Sequence, residues 1–473
     1  MKKILLSLAV ISGISANVLA DDISDMKAQI DSLNKKIVKL EKKQKRTSKT
    51  LSKVKQQGSY DNIKFDADFR TSYDYIDYKT ASGKHFDNDA LFGMRLWLNM
   101  AYAPTDDMMF KGQLAVNKAF GASNPAQAQG ANNFNQFDWV VAENLNDGTV
   151  RLREAYWFWS PSAFGRDWTV SVGRRPATNG FLINLRDDDK AKSPIGHIIN
   201  MEFDGASASM KTGDLVEGSY IKVCLGRGLS DANPRFDQSG HDYVTGGKLH
   251  NMDLVGVIAK LYDNGQYTAF AKYYRAFDVI GMDNTAGALD TYGDADGAAL
   301  SLKVEGIGDE INDFLDETIV FASVAWSNTL PKDNQAMLGS FENESGTSVY
   351  VGAQMPNMLG GKFGVEYNHG SKYWRPFTYS EDTMAGSKMA VRGDAYEAYF
   401  TQPIIQKNGQ DIFTMQVRYT YMDYKYTGSQ GFFGDQGTPM TMADAVADPH
   451  HNGMGDKAID VAQDLRVYFR YRY

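Results

Sequence analysis

From Asp61 onward the chain alternates apolar and polar residues with a period of two. Phe65 and Phe69 fall on one face of the first such segment, and Asp66 and Arg70 fall on the other. This period is that of a β-strand whose two faces meet different surroundings. Sixteen such segments recur, and many have the roughly 9–11 residues that a tilted strand needs to cross a bilayer. They lie near 60–76, 90–102, 108–118, 149–160, 167–174, 202–211, 217–226, 250–261, 266–277, 298–306, 317–327, 347–355, 362–369, 394–402, 411–425 and 463–473.

The connections between these segments alternate between short and long. The long ones lie near 77–89, 119–148, 175–201, 227–249, 278–297, 328–346, 370–393 and 426–462. A soluble β-sandwich has no reason to separate its loops in this way, whereas an outer-membrane barrel has short turns at one rim and long loops at the other. We therefore predict an all-β fold over 58–473, a transmembrane antiparallel up-and-down β-barrel. Sixteen strands fit best, fourteen to eighteen are compatible with the pattern, and the first strand should pair with 463–473.

The N-terminus has the pattern of a bacterial secretory signal peptide. Lys2 and Lys3 precede an apolar core, and small residues end at Ala20 before Asp21. Residues 1–20 are therefore predicted to be removed on export, and a buried N-terminal helix is the less favoured alternative. After this segment no apolar run approaches the length of a membrane helix.

Residues 21–57 have a different period. With Ile23 at position a, eight of ten a and d positions are apolar over five heptads, which is typical of a short coiled coil. The alternative is a single amphipathic helix lying on the barrel or on the membrane surface. The segment is rich in lysine and arginine, so it could also contact an anionic cell-wall polymer.

The last residues alternate as well, and the chain stops on the aromatic Tyr473. This ending resembles the signal by which outer-membrane barrels are recognised by their assembly machinery. Two further stretches, Arg153-Glu154-Ala155-Tyr156-Trp157 and residues 169–176 (TVSVGRRP), resemble strand motifs of substrate-specific porins. Together with the basic coiled coil, the chain resembles trimeric porins that carry an N-terminal periplasmic coiled coil. The Pro-Phe-Gly that often follows the second motif is replaced by Pro176-Ala-Thr-Asn-Gly180, which leaves the start of the next loop undefined.

This resemblance implies a homo-trimer in contact with outer-membrane lipid, with the N-terminal segment in the periplasm. It also implies that the third long loop, 175–201, folds into the lumen and narrows it. Opposed charges across such a constriction filter ions. The expected constriction residues are Arg174, Arg175, Arg186, Asp187, Asp188, Asp189, Lys190 and Lys192. Lumen-facing candidates on the strands are Arg70, Arg95, Lys111, Arg151, Arg153, Arg466 and Arg470. Each of these residues could also be an ordinary solvated side chain of a wide lumen.

Motifs for catalysis, metal binding or nucleic-acid binding are not found in the sequence. Ser193 and His197 could be imagined with an aspartate as a catalytic triad, but no motif surrounds them. His450-His451 fits an exposed pair better than a metal site, and 290–297 fits a flexible acidic loop better than a calcium site. We therefore expect no enzyme activity, no cofactor, no metal and no nucleic-acid partner.

The function that fits best is a passive diffusion channel for small hydrophilic solutes. The alternative is a surface adhesin, or a structural barrel that tethers the outer membrane to the cell wall through the coiled coil. From Gly58 onward, 37 lysines and arginines stand against 53 aspartates and glutamates, a net charge of −16 that favours cations or the binding of external divalent ions. The arginines near the expected constriction favour anions instead. Local charge decides conduction, so the sequence favours small anionic or polar solutes.

Overall fold

The computed structural model describes residues 63–123, 145, 147–229, 251–283, 288–308, 311–332, 335–378, 383–407, 409–429, 437–448 and 454–473. The predicted signal peptide and coiled coil lie outside these residues. In the described part of the chain, no helix combines the length and the apolar character needed to cross a membrane.

Sixteen antiparallel strands form one closed barrel, as the sequence predicts. Each strand pairs with its neighbour along the chain, and the first closes against the last from Asp68↔Arg472 to Thr80↔Ile459. The strands are β1 Lys64–Thr80, β2 His85–Tyr102, β3 Met108–Ala119, β4 Arg151–Trp159, β5 Arg166–Arg175, β6 Phe203–Lys211, β7 Tyr220–Leu229, β8 Met252–Asp263, β9 Tyr267–Asp283, β10 Ala288–Glu305, β11 Ile319–Pro331, β12 Ser345–Pro356, β13 Lys362–Gly370, β14 Gly393–Lys407, β15 Gln410–Tyr424 and β16 Ile459–Arg472.

The remaining described elements are short and lie in the connections. Ser162–Ala163 pairs with the start of β5, and Gly180–Phe181 pairs in parallel with Lys192–Ile195 inside the β5–β6 connection. A 3-10 helix covers Ile183–Leu185. The α-helices are α1 Asp313–Asp316, α2 Met442–Ala447 and α3 Met454–Lys457.

The strands carry apolar side chains outward and polar side chains inward. In β1, Asp68, Arg70 and Asp74 are buried, whereas the aromatic rings of Phe69 and Tyr75 are each 37% exposed on the outer surface. This is the reverse of a soluble barrel, and it follows from the solvent, because an apolar exterior is stable only against hydrocarbon. The alternation of the sequence therefore encodes which face meets lipid.

Two connections that the sequence predicts to be long are short, so the loops predicted at 77–89 and 278–297 are wrong. β1 and β2 pair as far as Lys79↔His85, so residues 81–84 alone turn the chain, with Gly83 at a φ of 87°. β9 and β10 continue their pairing to Asp283↔Ala288. Both hairpins extend beyond the segments of clear alternation, because past the hydrocarbon core no apolar face is required.

The acidic segment 290–297 belongs to β10 and is not a flexible loop, which corrects the sequence interpretation. The Asp294 carboxylate accepts a hydrogen bond from the Arg275 guanidinium at 3.1 Å and forms an ion pair with Lys332 at 2.5 Å. Asp296 also lies 3.7 Å from Arg275. These carboxylates are thus neutralised by two cations, which removes the repulsion that would otherwise favour a disordered loop.

Replacing a lipid-facing residue near the middle of a strand should destabilise the barrel. Val257 lies in the centre of β8 and is 40% exposed on the outer surface. Val257→Arg should lower the free energy of unfolding by about 2–4 kcal/mol, and Leu215→Arg in the β6–β7 turn by about 0–1 kcal/mol, because the cost falls with distance from the bilayer midplane. Urea unfolding in lipid vesicles measures both. Equal losses for the two variants would contradict the assigned orientation.

Candidate functional site

The connection between β5 and β6, residues 176–202, folds back into the lumen. Leu182, Ile183 and Ile198 on this loop are almost completely buried. The Phe181 ring lies 4.5 Å from the ring of Phe270 on the inner wall of β9. The loop thus forms an apolar core with the inner faces of β7–β12, whose buried members include Leu254, Ile258, Tyr274, Phe321 and Tyr350.

A second connection, between β13 and β14, also enters the lumen with its described residues 371–378 and 383–392. Trp374, Phe377 and Met389 are each at most 1% exposed. The backbone N–H of Phe377 donates to the carbonyl oxygen of Ile198 at 3.0 Å, and the N–H of Asn200 donates to the carbonyl oxygen of Phe377 at 2.8 Å. Sequence reasoning missed this contact between the two loops. Two features of the sequence could have indicated it: the apolar run 389–391 and Trp374, both in a connection that was expected to be external.

The tip of the β5–β6 loop, residues 185–189, crosses to the opposite side of the barrel. Gln354 of β12 and Gln416 of β15 donate to backbone carbonyl oxygens of the tip at 2.8 and 2.7 Å. Arg470 of β16 donates to another tip carbonyl at 2.8 Å and to the Asp189 carboxylate at 2.8 Å. Lys362 of β13 forms an ion pair with Asp188. The tip is therefore bound to four strands of the far wall.

Arginines stand side by side on the wall that faces this tip. Arg95, Arg70 and Arg470 are directly opposite one another on β2, β1 and β16, and each is at most 5% exposed. Arg470 binds the Asp68 carboxylate with hydrogen bonds of 3.0 Å. Two inward-facing positions further along the barrel, Arg418 and Arg466 are likewise paired on β15 and β16.

A second group of charges surrounds Glu397 of β14, whose side chain is completely buried. Lys388, on the second infolded loop, lies 2.5 Å from its carboxylate and also forms an ion pair with Glu366. Arg186 at the tip of the first loop lies 3.4 Å from the same carboxylate, and Thr420 donates to it at 2.8 Å. Both infolded loops thus place a cation on one buried wall carboxylate, which compensates the cost of burying these charges.

The wall on the β3–β5 side is also charged. The pairing of β3 with β4 has an irregularity next to Arg153. Because of it, the adjacent residues Arg153 and Glu154 are both buried on the inner side. Arg153 donates to Gln113 at 2.7 Å, and its guanidinium lies 4.1 Å from the centre of the Trp97 ring. Glu154 forms an ion pair with Lys192 of the loop at 3.0 Å.

Most of the residues predicted from the sequence lie on the lumen side. Arg70, Arg95, Arg153, Arg466 and Arg470 are buried inside the barrel, and Lys111 and Arg151 stand in register with the inward-facing Tyr156 and Ala115. Arg186, Asp187, Asp188 and Asp189 form the loop tip, while Arg175, Lys190 and Lys192 lie near Lys111. Their role as a constriction stays a prediction.

Arg174 does not belong with this group, which corrects the sequence interpretation. Neighbouring side chains of a strand point to opposite faces, and Arg175 contacts the inward-facing Ser171 and Tyr156. Arg174 therefore points outward, where it lies 3.4 Å from the exposed carboxylate of Asp204.

At the short-turn end, the lumen opens into a vestibule of about 1150 Å³. Its rim is formed by turn residues such as Gly306, Gly361 and Gly409. Asp188, Asp189, Arg470 and Arg472 also line it. The vestibule is therefore bounded by the loop tip and the charged wall that binds it.

His197 is not part of a catalytic triad. Its two ring nitrogens lie 2.8 Å from the hydroxyl oxygens of Ser323 and Ser348, while Ser193 accepts a hydrogen bond from Lys222 instead. Burial lowers the pKa of His197 to about 3, although hydrogen bonding with the Asn368 side chain raises it in part. The imidazole is therefore neutral at physiological pH, and it joins the loop to β11 and β12. Among the described residues, no group of three or more histidine, cysteine or carboxylate side chains could hold a metal ion.

A closed barrel of sixteen antiparallel strands, with an apolar exterior and a polar wall around infolded loops, is the architecture of outer-membrane porins. The chain belongs to the family described as "Protein of unknown function (DUF3373)", whose model matches residues 85–473. No curated protein matches the chain.

Several solved porin structures are similar in fold. The anion-selective porin from Comamonas acidovorans has a TM-score of 0.46 at 11% identity, over 87% of this chain and 99% of that chain. OmpF of Salmonella typhi, in complex with daunomycin, has a TM-score of 0.45 at 12% identity, over 87% and 98%. OprB of Pseudomonas putida has a TM-score of 0.45 at 12% identity, over 87% and 94%. Likeness at this level carries no information on the solute, selectivity or assembly of this chain.

Proposed function

We propose that this protein is an outer-membrane porin, a passive diffusion channel for small hydrophilic solutes with loop 175–201 as its constriction. One observation carries the proposal: the acidic tip of this loop meets a row of wall arginines across the lumen. Asp189 contacts Arg470, which stands beside Arg70 and Arg95. A barrel that served only as a membrane anchor would not need opposed charges across its lumen.

Solutes are proposed to pass through the charged half of the barrel. Strands β7–β12 and the two infolded loops fill their side of the lumen with apolar side chains, which a hydrated solute avoids. The opposite side, from β14 through β16 to β5, carries the arginines and their carboxylates. Fixed charges in a narrow, partly desolvated passage act more strongly than in bulk water. The proposed channel is therefore small in bore and sensitive to solute charge.

A second candidate is a structural barrel without conduction. Tyr274, Tyr350 and Met389 are completely buried inside the barrel, so a large part of the lumen is packed. This packing favours an adhesin or a barrel that links the outer membrane to the cell wall. The measurement that separates the two candidates is planar-bilayer conductance of the purified full-length protein: discrete conductance steps support the channel, and a silent bilayer supports the structural role.

We further propose that residues 1–20 are cleaved on export and that 21–57 forms a periplasmic coiled coil joined to the barrel domain at 58–473. Five heptads support self-association, and a homo-trimer is the assembly that the porin resemblance favours. The alternating aromatic residues of 463–473 support recognition by the barrel-assembly machinery, and the basic character of 21–57 supports contact with the cell wall.

The oligomer should depend partly on this N-terminal segment. Cross-linking of the full-length protein in outer membranes should give a trimer, and deletion of 21–57 should raise the monomer fraction because the heptad contacts are lost. A full-length protein that cross-links only as a monomer would contradict the proposed assembly.

Ion selectivity should respond to charges on both sides of the proposed constriction. Arg70→Gln should raise the cation-to-anion permeability ratio about fivefold, because a unit charge ~8 Å away in water is worth ~0.5 kcal/mol, which favours the cation and disfavours the anion by about twofold each. Asp189→Asn should shift the ratio in the opposite direction. Reversal potentials in a salt gradient measure both shifts, which should shrink as the screening length falls from about 10 Å at 0.1 M salt to about 3 Å at 1 M.

Arg174→Gln is the matched control for this experiment. It removes one arginine charge from the same barrel, but its side chain points outward toward Asp204. The reversal potential should stay at the wild-type value. If this variant shifts selectivity as much as Arg70→Gln, the loop and arginine row do not form the selectivity filter.

A further inference from the structure

A small cavity lies behind the infolded loop, between residues 176–177 and 193–194 of the loop and the inner wall of β5–β9. Its volume is about 70 Å³. Three cationic side chains line it: Arg175, Lys222 and Lys272. It is separate from the vestibule, with which it shares no lining residue.

Strand register places the two lysines together. Lys222 on β7 stands opposite Ile258 on β8, which in turn stands opposite Lys272 on β9. The three side chains therefore form one row on the inner wall, with the two ammonium groups on either side of an isoleucine. The Lys222 ammonium also donates to the Ser193 hydroxyl on the loop at 2.7 Å.

The lining of this cavity contains no carboxylate among the described residues. Two nearby acids are engaged elsewhere, since Glu154 pairs with Lys192 at 3.0 Å and Glu202 lies 3.7 Å from Arg153. Lys272 is 6% exposed, and it forms no hydrogen bond or ion pair with any residue that the structure describes.

Burying several like charges without a counter-ion is strongly unfavourable, so such lysines either lose a proton or hold an anion. An anion in the cavity removes this cost, because it accepts hydrogen bonds from the ammonium groups and cancels their mutual repulsion. The remaining walls are apolar, with Pro176, Leu254 and Ile258 among them, so they shield such an anion from water. A water molecule occupies about 30 Å³ in the liquid, so the cavity has room for roughly two waters or one small oxyanion.

We propose that this cavity, the oxyanion pocket, binds one small oxyanion, either a carboxylate or an inorganic phosphate or sulfate. Lys222 and Lys272 on the wall bind it directly, Arg175 adds a third positive charge, and Ser193 offers a hydroxyl from the loop. The bound anion then links the loop to β7 and β9, on the side of the barrel opposite the loop tip. The site is independent of whether the barrel conducts solutes.

Cys224 makes the oxyanion pocket directly measurable. It lines the cavity, and it is the single cysteine of the chain. The full-length protein in detergent micelles is treated with iodoacetate, which carries a carboxylate, or with neutral iodoacetamide of nearly the same size, in a buffer free of other oxyanions. Mass spectrometry follows the modification of Cys224.

Iodoacetate should react at least about tenfold faster than iodoacetamide, because the cations of the pocket attract its carboxylate. Phosphate, sulfate and acetate are then added separately, and at least one should slow the reaction in a saturable manner. The anion that protects most strongly distinguishes a carboxylate site from an inorganic oxyanion site. Equal rates for both reagents, or no protection by any of the three anions, would overturn the proposal.

Variants test whether the lysines are responsible. Lys272→Met should reduce both the charge preference and the protection at least about tenfold, because one of the two direct ligands is lost. Lys303→Met is the matched control, since this inner-wall lysine of β10 interacts with Glu305 and does not line the pocket. It should keep both properties. Unchanged protection in Lys272→Met would exclude the assigned ligands.

Folding of each variant is checked by heat-modifiable migration on gels. If Lys272→Met does not fold, Lys222→Met replaces it with the same expected result. If neither variant folds, the reagent preference and the anion protection of the wild-type protein alone decide the proposal.

Discussion

Closure of the strand ladder is the constraint on which this structure depends. In hydrocarbon an unpaired backbone N–H or C=O group costs several kcal/mol, so a sheet can cross a membrane only if it has no free edge. Pairing between β1 and β16, from Asp68↔Arg472 to Thr80↔Ile459, removes that edge. Closure also fixes the two environments of every strand, with lipid outside and an enclosed lumen inside. The sequence alternates with a period of two because successive residues of a strand face the lipid and the lumen in turn.

The enclosed lumen then has to be filled or hydrated, and the two infolded loops divide it. On one side they bury apolar residues such as Leu182 and Trp374 against β7–β12. On the other side the acidic tip supplies counter-charges to Arg470 and its neighbours, which would repel one another without it. Loop and wall therefore stabilise each other. The charge pattern proposed to select solutes is, by the same contacts, what holds the loop in place.

The sequence predicted the strand count and the closure, because alternation and loop length are local signals, whereas the entry of loop 175–201 into the lumen was implied by the resemblance to porins. It could not predict that residues 371–378 and 383–392 enter as well, since the contact of Phe377 with Ile198 joins distant parts of the chain. It grouped Arg174 with Arg175 by proximity, although neighbouring side chains on one strand face opposite ways. It also missed the oxyanion pocket, because Lys222 and Lys272 meet only through the register of three strands. Long-range pairing, rather than residue type, decides these features.

The position of the loop tip is the central claim, and zero-length cross-linking tests it most directly. A carbodiimide joins a lysine to a carboxylate only where the two are in contact. Treatment of the native protein in outer membranes should link Lys362 to Asp188, and mass spectrometry of the digested protein identifies the joined peptides. The exposed pair Lys211 and Asp167, 3.2 Å apart at the rim, serves as the internal control. Both links are expected. A clear Lys211–Asp167 link without the Lys362–Asp188 link would contradict a loop that crosses the lumen.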